Sequence, residues 1–215
     1  MQEVEMRRRT RRKETVRQKE AFRRLASNLV FCREDLKTVC VTSLGEGEGK
    51  TTVCLEMAKI FASFGKKVLL LDADVSGSDL FRHFYWKKDV IGLDQPFGLT
   101  EYLEGRQSLD DVICRTDVEG MYLLFSGKLC QGGDLLSAPM FRDMLQSLRP
   151  VFDRILIDTS PLSRSVDAGL MARIADGTLL TVRQGSVKTR MLCDTVQQLE
   201  RFDARIIGGL LMQVE

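Results

Sequence analysis

The segment Thr38 to Thr52, TVCVTSLGEGEGKTT, leaves this chain few folds to choose from. TVCVT has the β-branched, mostly apolar character of a buried strand. Lys50 to Phe64 then carries a helical pattern that stops at Gly65. Between them, Gly45, Gly47 and Gly49 let backbone N–H groups turn inward around an anion with no Cβ in the way. The helix starts where the turn ends, so the positive end of its dipole faces the same anion. Lys50 adds a point charge for outer phosphates, and the Thr51 hydroxyl is placed to ligate Mg²⁺. The expected nucleotide cradle is Gly45, Glu46, Gly47, Glu48, Gly49, Lys50, Thr51 and Thr52. One departure from G-x-x-x-x-G-K-[ST] is Leu44, which stands where the first glycine belongs.

Further strands are expected at Lys67 to Leu71, Met121 to Phe125, Arg154 to Ile157, Gly177 to Val182 and Ile206 to Met212. Helical spacing predicts Thr15 to Phe31, where Phe22, Leu25, Ala26, Leu29 and Val30 form one apolar stripe. It also predicts Ser137 to Leu148, Val166 to Ile174, and Val187 to Phe202. In the last, Val187, Met191, Thr195, Val196 and Leu199 share a face. Ser76 to Pro96 lacks sustained periodicity and is expected to be a short helix and a surface loop. Near-continuously apolar strands alternating with helices imply an α/β fold, a mostly parallel central sheet flanked by helices of the P-loop NTPase type.

The formal net charge of +2 conceals two blocks. Met1 to Arg24 holds ten Lys/Arg against four Asp/Glu, so a basic arm precedes a mildly acidic body. The expected division is a flexible arm over 1–14 and one domain over 15–215, with 15–35 a helix that packs on the domain or on a neighbouring subunit. An acidic body with no interleaving of aromatic and basic residues argues against nucleic-acid binding. No apolar run approaches the ~20 residues that span a bilayer. Cys32, Cys40, Cys54, Cys114, Cys130 and Cys193 form no C-x-x-C pair, and His83 is the single histidine. Reduced thiols in a cytoplasmic protein are expected, not a zinc site.

Ligands of such a sheet lie beyond the carboxyl ends of its strands. LLLDAD puts Asp72 and Asp74 after the second strand, and LIDTSP puts Asp158 after a later one. Residues i and i+2 of an extended segment face the same way, so Asp72 and Asp74 can enter one site. Carboxylates at strand ends beside a phosphate loop commonly bind Mg²⁺ directly or through water.

Together these segments resemble the bacterial tyrosine kinases, the cytoplasmic P-loop kinases of capsule and exopolysaccharide systems, within the deviant P-loop ATPases. EAFRRLASNLVF, TSLGEGEGKTT, VLLLDADVSGSDLFRHF, GLTEYLEG, DLLSAPMFRDMLQSLRPVFDRILIDTSP, VDAGLMARIADGTLLTVRQG and IIGGLL follow in the family's order. The resemblance implies ATP and Mg²⁺ as cofactors and a protein tyrosine as acceptor. It makes Lys50 and Thr51 the phosphate and metal residues, Asp72 the general base, and Asp74 and Asp158 the metal-positioning carboxylates. Asp72, Lys50 and Asp74 are the implied catalytic set, and Thr51, Asp74 and Asp158 the metal set. Against the family pattern, Glu46 replaces a proline, Ser76 an arginine, Ser160 a proline and Met212 an asparagine that helps read the base. In E-x-x-R-x-x-R, a self-association motif, Glu20 and Arg23 remain, but Ala26 replaces the last arginine.

No tyrosine cluster precedes Glu215, and Tyr85, Tyr102 and Tyr122 fall inside the expected body. Phosphorylation of other proteins, or ATP binding kept as a switch, is therefore expected in place of tail phosphorylation between neighbours. The implied partner is the cytoplasmic segment of a transmembrane polysaccharide co-polymerase. Self-association would run through Glu20 and Arg23, and the Arg7–Lys13 arm would meet anionic lipid at the inner membrane face. Two other functions compete with the kinase. One is an ATP-binding regulator that docks on a membrane complex without phosphoryl transfer. The other is a partitioning-type ATPase, for which Leu44 and its neighbours supply no early lysine.

Overall fold

A computed structural model describes residues 2–3, 16–31, 35–84, 95–128 and 139–212. Strands β1 (Gln2–Glu3), β2 (Thr38–Ser43), β3 (Val68–Asp72), β4 (Ile113–Arg115), β5 (Met121–Leu124), β6 (Arg154–Asp158), β7 (Gly177–Arg183) and β8 (Ile206–Met212) form one sheet in the order β1-β4-β5-β3-β6-β2-β7-β8. From β5 to β8 every neighbouring pair is parallel. Only β4 runs antiparallel to β5, and β1 follows β4. Gln2–Glu3 of the expected arm thus supplies an edge strand, while the Arg7–Lys13 cluster lies outside the described residues.

Alternation along the inner strands sorts their side chains between two faces. On one face Leu69, Leu71, Ile155 and Ile157 pack under helices α5 (Pro139–Leu148), α6 (Asp167–Ile174) and α7 (Thr189–Arg201). On the other, Val39, Val41, Leu70 and Leu156 pack under α1 (Val16–Phe31) and α2 (Lys50–Ser63). The stripe read from the sequence explains the placement of α1: Ala26, Leu29 and Val30 are buried in the same cluster as Val53, Met57 and Phe61 of α2. In α7 the expected stripe narrows. Thr195 and Leu199 are buried, with Leu192 and Val196 packed beside them on the core, so the buried face is 192, 195, 196 and 199, and Met191, off that face, is 47% exposed.

The segment 99–115 carries three short elements that sequence periodicity does not assign: α3 (Leu99–Leu103), α4 (Leu109–Val112) and β4. Each is too short for a period to register, and local hydrogen bonds define them instead. The Glu101 carboxylate accepts from the Gly98 N–H at 2.8 Å, and the Ser108 hydroxyl donates to Asp111 at 2.6 Å. Within the Ser76 to Pro96 stretch, Leu80–His83 forms a 3₁₀ turn, and residues 85–94, including Tyr85, lie outside the described residues. Cys40, Cys54 and Cys114 are buried, and burial pushes Cys40 and Cys114 up to about 12.

One carboxylate ties the central strands at their entry. Asp176, just before β7, accepts from the backbone N–H groups of Lys37 (2.9 Å) and Thr38 (2.7 Å) and from Arg149 Nη1 (2.9 Å). Burial alone would push its pKa up, but these donors outweigh it and hold the carboxyl below the ordinary range. Asp176→Ala should lower stability at pH 7 by about 2 kcal/mol, since it strands two backbone donors and an arginine. A depressed carboxyl contributes above its unfolded pKa and loses that contribution on acidification. The gap between wild type and variant in urea unfolding should therefore close as pH falls below 4; an equal gap at pH 3 and pH 7 would contradict this role.

Candidate active site

The parallel register sets the chemistry. Across β3–β6–β2, Asp72 pairs with Asp158 and Val41 pairs with Asp158, so the ends of three adjacent strands meet on one edge. The backbone stays linked past the strand ends: Ala73 N–H donates to Asp158 O at 2.8 Å, and Thr159 N–H to Val41 O at 3.3 Å. The glycine-rich turn follows β2 along this edge. Gly47 and Gly49 have φ of 69° and 89°, the left-handed region that disfavours side chains. A Cβ at Gly49 would also come within 3.0 Å of Met212 Cε, so the last residue of β8 packs directly on the turn.

Lys50, the first residue of α2, is buried and donates to Ser43 Oγ at 3.1 Å. Ser43 in turn donates to Gly45 O at 2.6 Å, which holds the turn shut at its base. Burial lowers the Lys50 pKa, and Asp158 and Asp74 oppose that shift. Thr51 Oγ1 donates to Asp158 Oδ2 at 2.6 Å, while Asp158 Oδ1 is buried and has no hydrogen-bond partner among the described residues. A lone buried carboxylate oxygen beside a hydroxyl and the N-terminus of a helix fits a hard cation carried in with phosphates. Among the described residues no group of three His, Cys, Asp or Glu forms a cage for a metal. Mg²⁺ is commonly held by one or two carboxylates together with the phosphates of its nucleotide.

Asp72 is 1% exposed. It accepts from the Asp74 N–H at 3.1 Å and from the Ser78 hydroxyl. Burial, and then the neighbouring Asp158 charge, push it up to about 8; burial likewise pushes Asp158 up to about 7 despite its Thr51 hydrogen bond and Lys50. Asp74 accepts from Ser76 Oγ at 3.4 Å, and the guanidinium beside it comes from Arg164.

The expected residues therefore divide. Lys50, Thr51, Asp72, Asp74 and Asp158 share one site. Gly45, Gly47 and Gly49 shape the turn, whereas the Thr52 side chain is exposed on α2. The Glu46 side chain is 70% exposed and paired with Arg164. Glu48 is buried, with Oε1 accepting from Ser186 Oγ at 3.2 Å and Oε2 without a partner among the described residues. Sequence reasoning missed Ser43, Ser78, Arg164 and Ser186. Position was the available signal for Ser43, which ends β2, and for Ser186, close after β7; Ser78 and Arg164 lie further along the loops after β3 and β6, with no local mark.

Both buried acids bind protons more tightly in the folded chain than at the ordinary carboxyl pKa of 3.8. Between about pH 4 and pH 8 the unfolded state thus binds fewer protons, and stability falls as pH rises. In chelator, the unfolding temperature should drop by a few degrees from pH 6 to pH 9. Asp158→Asn should flatten that slope; an equally steep slope in the variant would refute the assignment.

A family model described as an AAA domain matches residues 36–206. Tyrosine-protein kinase CpsD of Streptococcus pneumoniae is 32% identical over 197 residues, covering 91% of this chain and 84% of that protein. The kinase domain of VpsO superposes with a TM-score of 0.81 at 28% identity, over 92% of this chain and 96% of that one. The septum site-determining protein MinD of Pyrococcus horikoshii shares the fold at a TM-score of 0.62 and 24% identity, over 81% and 69% of the two chains. By sequence and by structure, this chain belongs to the bacterial tyrosine-kinase family of P-loop ATPases.

Proposed function

We propose that this chain transfers the γ-phosphoryl group of ATP to a protein tyrosine in the control of capsular or exopolysaccharide synthesis and export. The observation that carries the chemistry is the pair of buried carboxylates at register-matched strand ends, Asp72 and Asp158, with Lys50 beside them. A phenol has a pKa near ~10, so a base must take its proton as the new bond forms. Asp72 is the candidate. It is held by the Asp74 N–H and Ser78, and its raised pKa narrows the gap to the phenol. In the transfer, the tyrosine oxygen bonds to γ-phosphorus, the bond from that phosphorus to the bridging oxygen of ADP breaks, and the phenolic proton passes to Asp72.

Lys50 and the backbone N–H groups of the turn neutralise charge on the phosphates. Thr51 and Asp158, with Asp74 close by, would hold Mg²⁺, which would supply charge neutralisation for the phosphates when bound. Binding of the nucleotide requires none of the base chemistry, so binding and transfer separate by mutation.

Outside the α1 stripe, Glu20, Arg23, Arg24, Ser27 and Asn28 line an open groove of about 450 Å³, with Glu20 paired to Arg24 at 3.3 Å. This outer face is where self-association through Glu20 and Arg23 would occur. No helix among the described residues is long and apolar enough to cross a membrane. The cytoplasmic segment of a membrane co-polymerase is the proposed activator, and the Arg7–Lys13 cluster the proposed lipid contact.

Incubation with Mg-ATP, the activator segment and candidate substrates should yield phosphotyrosine. Asp72→Ala and Lys50→Met should each reduce the rate at least about a hundredfold. Asp72→Ala should retain nucleotide binding. Full transfer by Asp72→Ala would remove that residue as base, and ATP-dependent partner binding with no phosphotyrosine in wild type would favour a switch over a kinase.

A further inference from the structure

Arg164 has no part in the reaction as described, yet its side chain lies at the centre of the site. It belongs to the turn after β6, and that turn is fixed to the phosphate loop through the backbone. Leu162 N–H donates to Ser43 O at 2.8 Å, and Ser163 N–H to Leu44 O at 3.1 Å. The guanidinium at the end of this anchored residue grips two carboxylates from separate segments. Nη1 donates to Glu46 Oε1 at 3.0 Å, and Nη2 donates to Asp74 Oδ2.

Space has been left for it. A Cβ at Gly77 would stand 2.6 Å from Arg164 Nη1 and 3.0 Å from Cζ, so the guanidinium lies against bare backbone. Its charge is close enough to act against protonation of Lys50, though burial is the larger cause there. The guanidinium thus links the phosphate loop to the acidic segment after β3. Asp74 at one end is 11% exposed, and Glu46 at the other is 70% exposed.

We propose that Arg164 is a phosphate-binding residue. Its guanidinium rests on Glu46 and Asp74 in the nucleotide-free chain and turns onto the terminal phosphate of a bound nucleoside triphosphate. This role rests on the nucleotide-site reading above and adds a group to it. A planar guanidinium fork matches two phosphate oxygens as well as it matches carboxylates. The contact with exposed Glu46 is a screened surface pair and is easily given up. Asp74 is the other partner, and a divalent cation arriving with the phosphates competes for it. One event therefore frees the arginine and supplies its new anion. The anchored backbone lets the side chain swing without the turn moving.

The test compares binding of a slowly hydrolysed ATP analogue and of ADP, each with Mg²⁺, by calorimetry. Arg164→Ala should weaken triphosphate binding about tenfold, the scale of one charge-assisted contact, and ADP binding by less than about twofold. Retained ADP binding also shows that the variant is folded. Glu46→Gln, which removes a resting partner, should tighten triphosphate binding by about twofold or more. An unchanged triphosphate-to-diphosphate preference in Arg164→Ala overturns this role alone, as does weaker triphosphate binding in Glu46→Gln. Wild type that binds neither nucleotide overturns the nucleotide reading itself, and this role with it.

Discussion

Everything in this site depends on the register of three parallel strands. Because β3, β6 and β2 are neighbours and run the same way, their carboxyl ends arrive on one edge. Asp72 and Asp158 end their strands in register there, and β2 runs two residues past its pairing with Asp158, to Ser43. A slip of one residue in β3 would turn Asp72 to the opposite face and send Leu71 or Ala73 into its place. The apolar alternation prevents the slip: Leu69 and Leu71 fill the layer under α5 to α7, and Val68 and Leu70 the layer under α1 and α2. The two hydrophobic clusters therefore determine where two carboxylates stand, although no member of either cluster performs chemistry.

Such placement costs stability. Two acids sit side by side, each nearly or wholly shut off from water: burial raises both pKa values, and the Asp158 charge raises that of Asp72 further. Lys50 and Thr51 offset this only in part, and one oxygen of Asp158 remains without a partner among the described residues. At the opposite ends of the same strands the balance is reversed. Asp176 collects two backbone N–H donors and Arg149, and it is held below the ordinary range. The sheet is thus secured electrostatically at its entry and strained electrostatically at its carboxyl edge. That polarity suits a site built to receive a cation and polyphosphate, because the stabilising charges arrive with the ligand.

This division also explains what the sequence could disclose. Strands β2, β3, β6, β7 and β8 and helices α1, α2, α6 and α7 are each long and periodic enough to be read within a residue or two at either end. The carboxylates are legible because their position relative to a strand end is a local property: Asp72 closes KVLLLD, and Asp158 closes RILID. The turns over 99–112 are not, since α3 and α4 are shorter than two helical turns and rest on side-chain caps. Arg164 illustrates the limit most clearly. SPLSRS has the composition of a solvated turn, and nothing within it calls for an arginine. Its carboxylate partners are 118 and 90 positions away, in loops that the fold alone brings together. Glu46 read alone adds unwanted negative charge beside phosphates, and Arg164 read alone is a surface cation. Only their meeting across the pocket, with Asp74 on the other side, turns two unremarkable polar residues into a positioned guanidinium. Spacing along a chain reports which way a backbone carries a side chain, but the partner that side chain finds is a property of the tertiary structure.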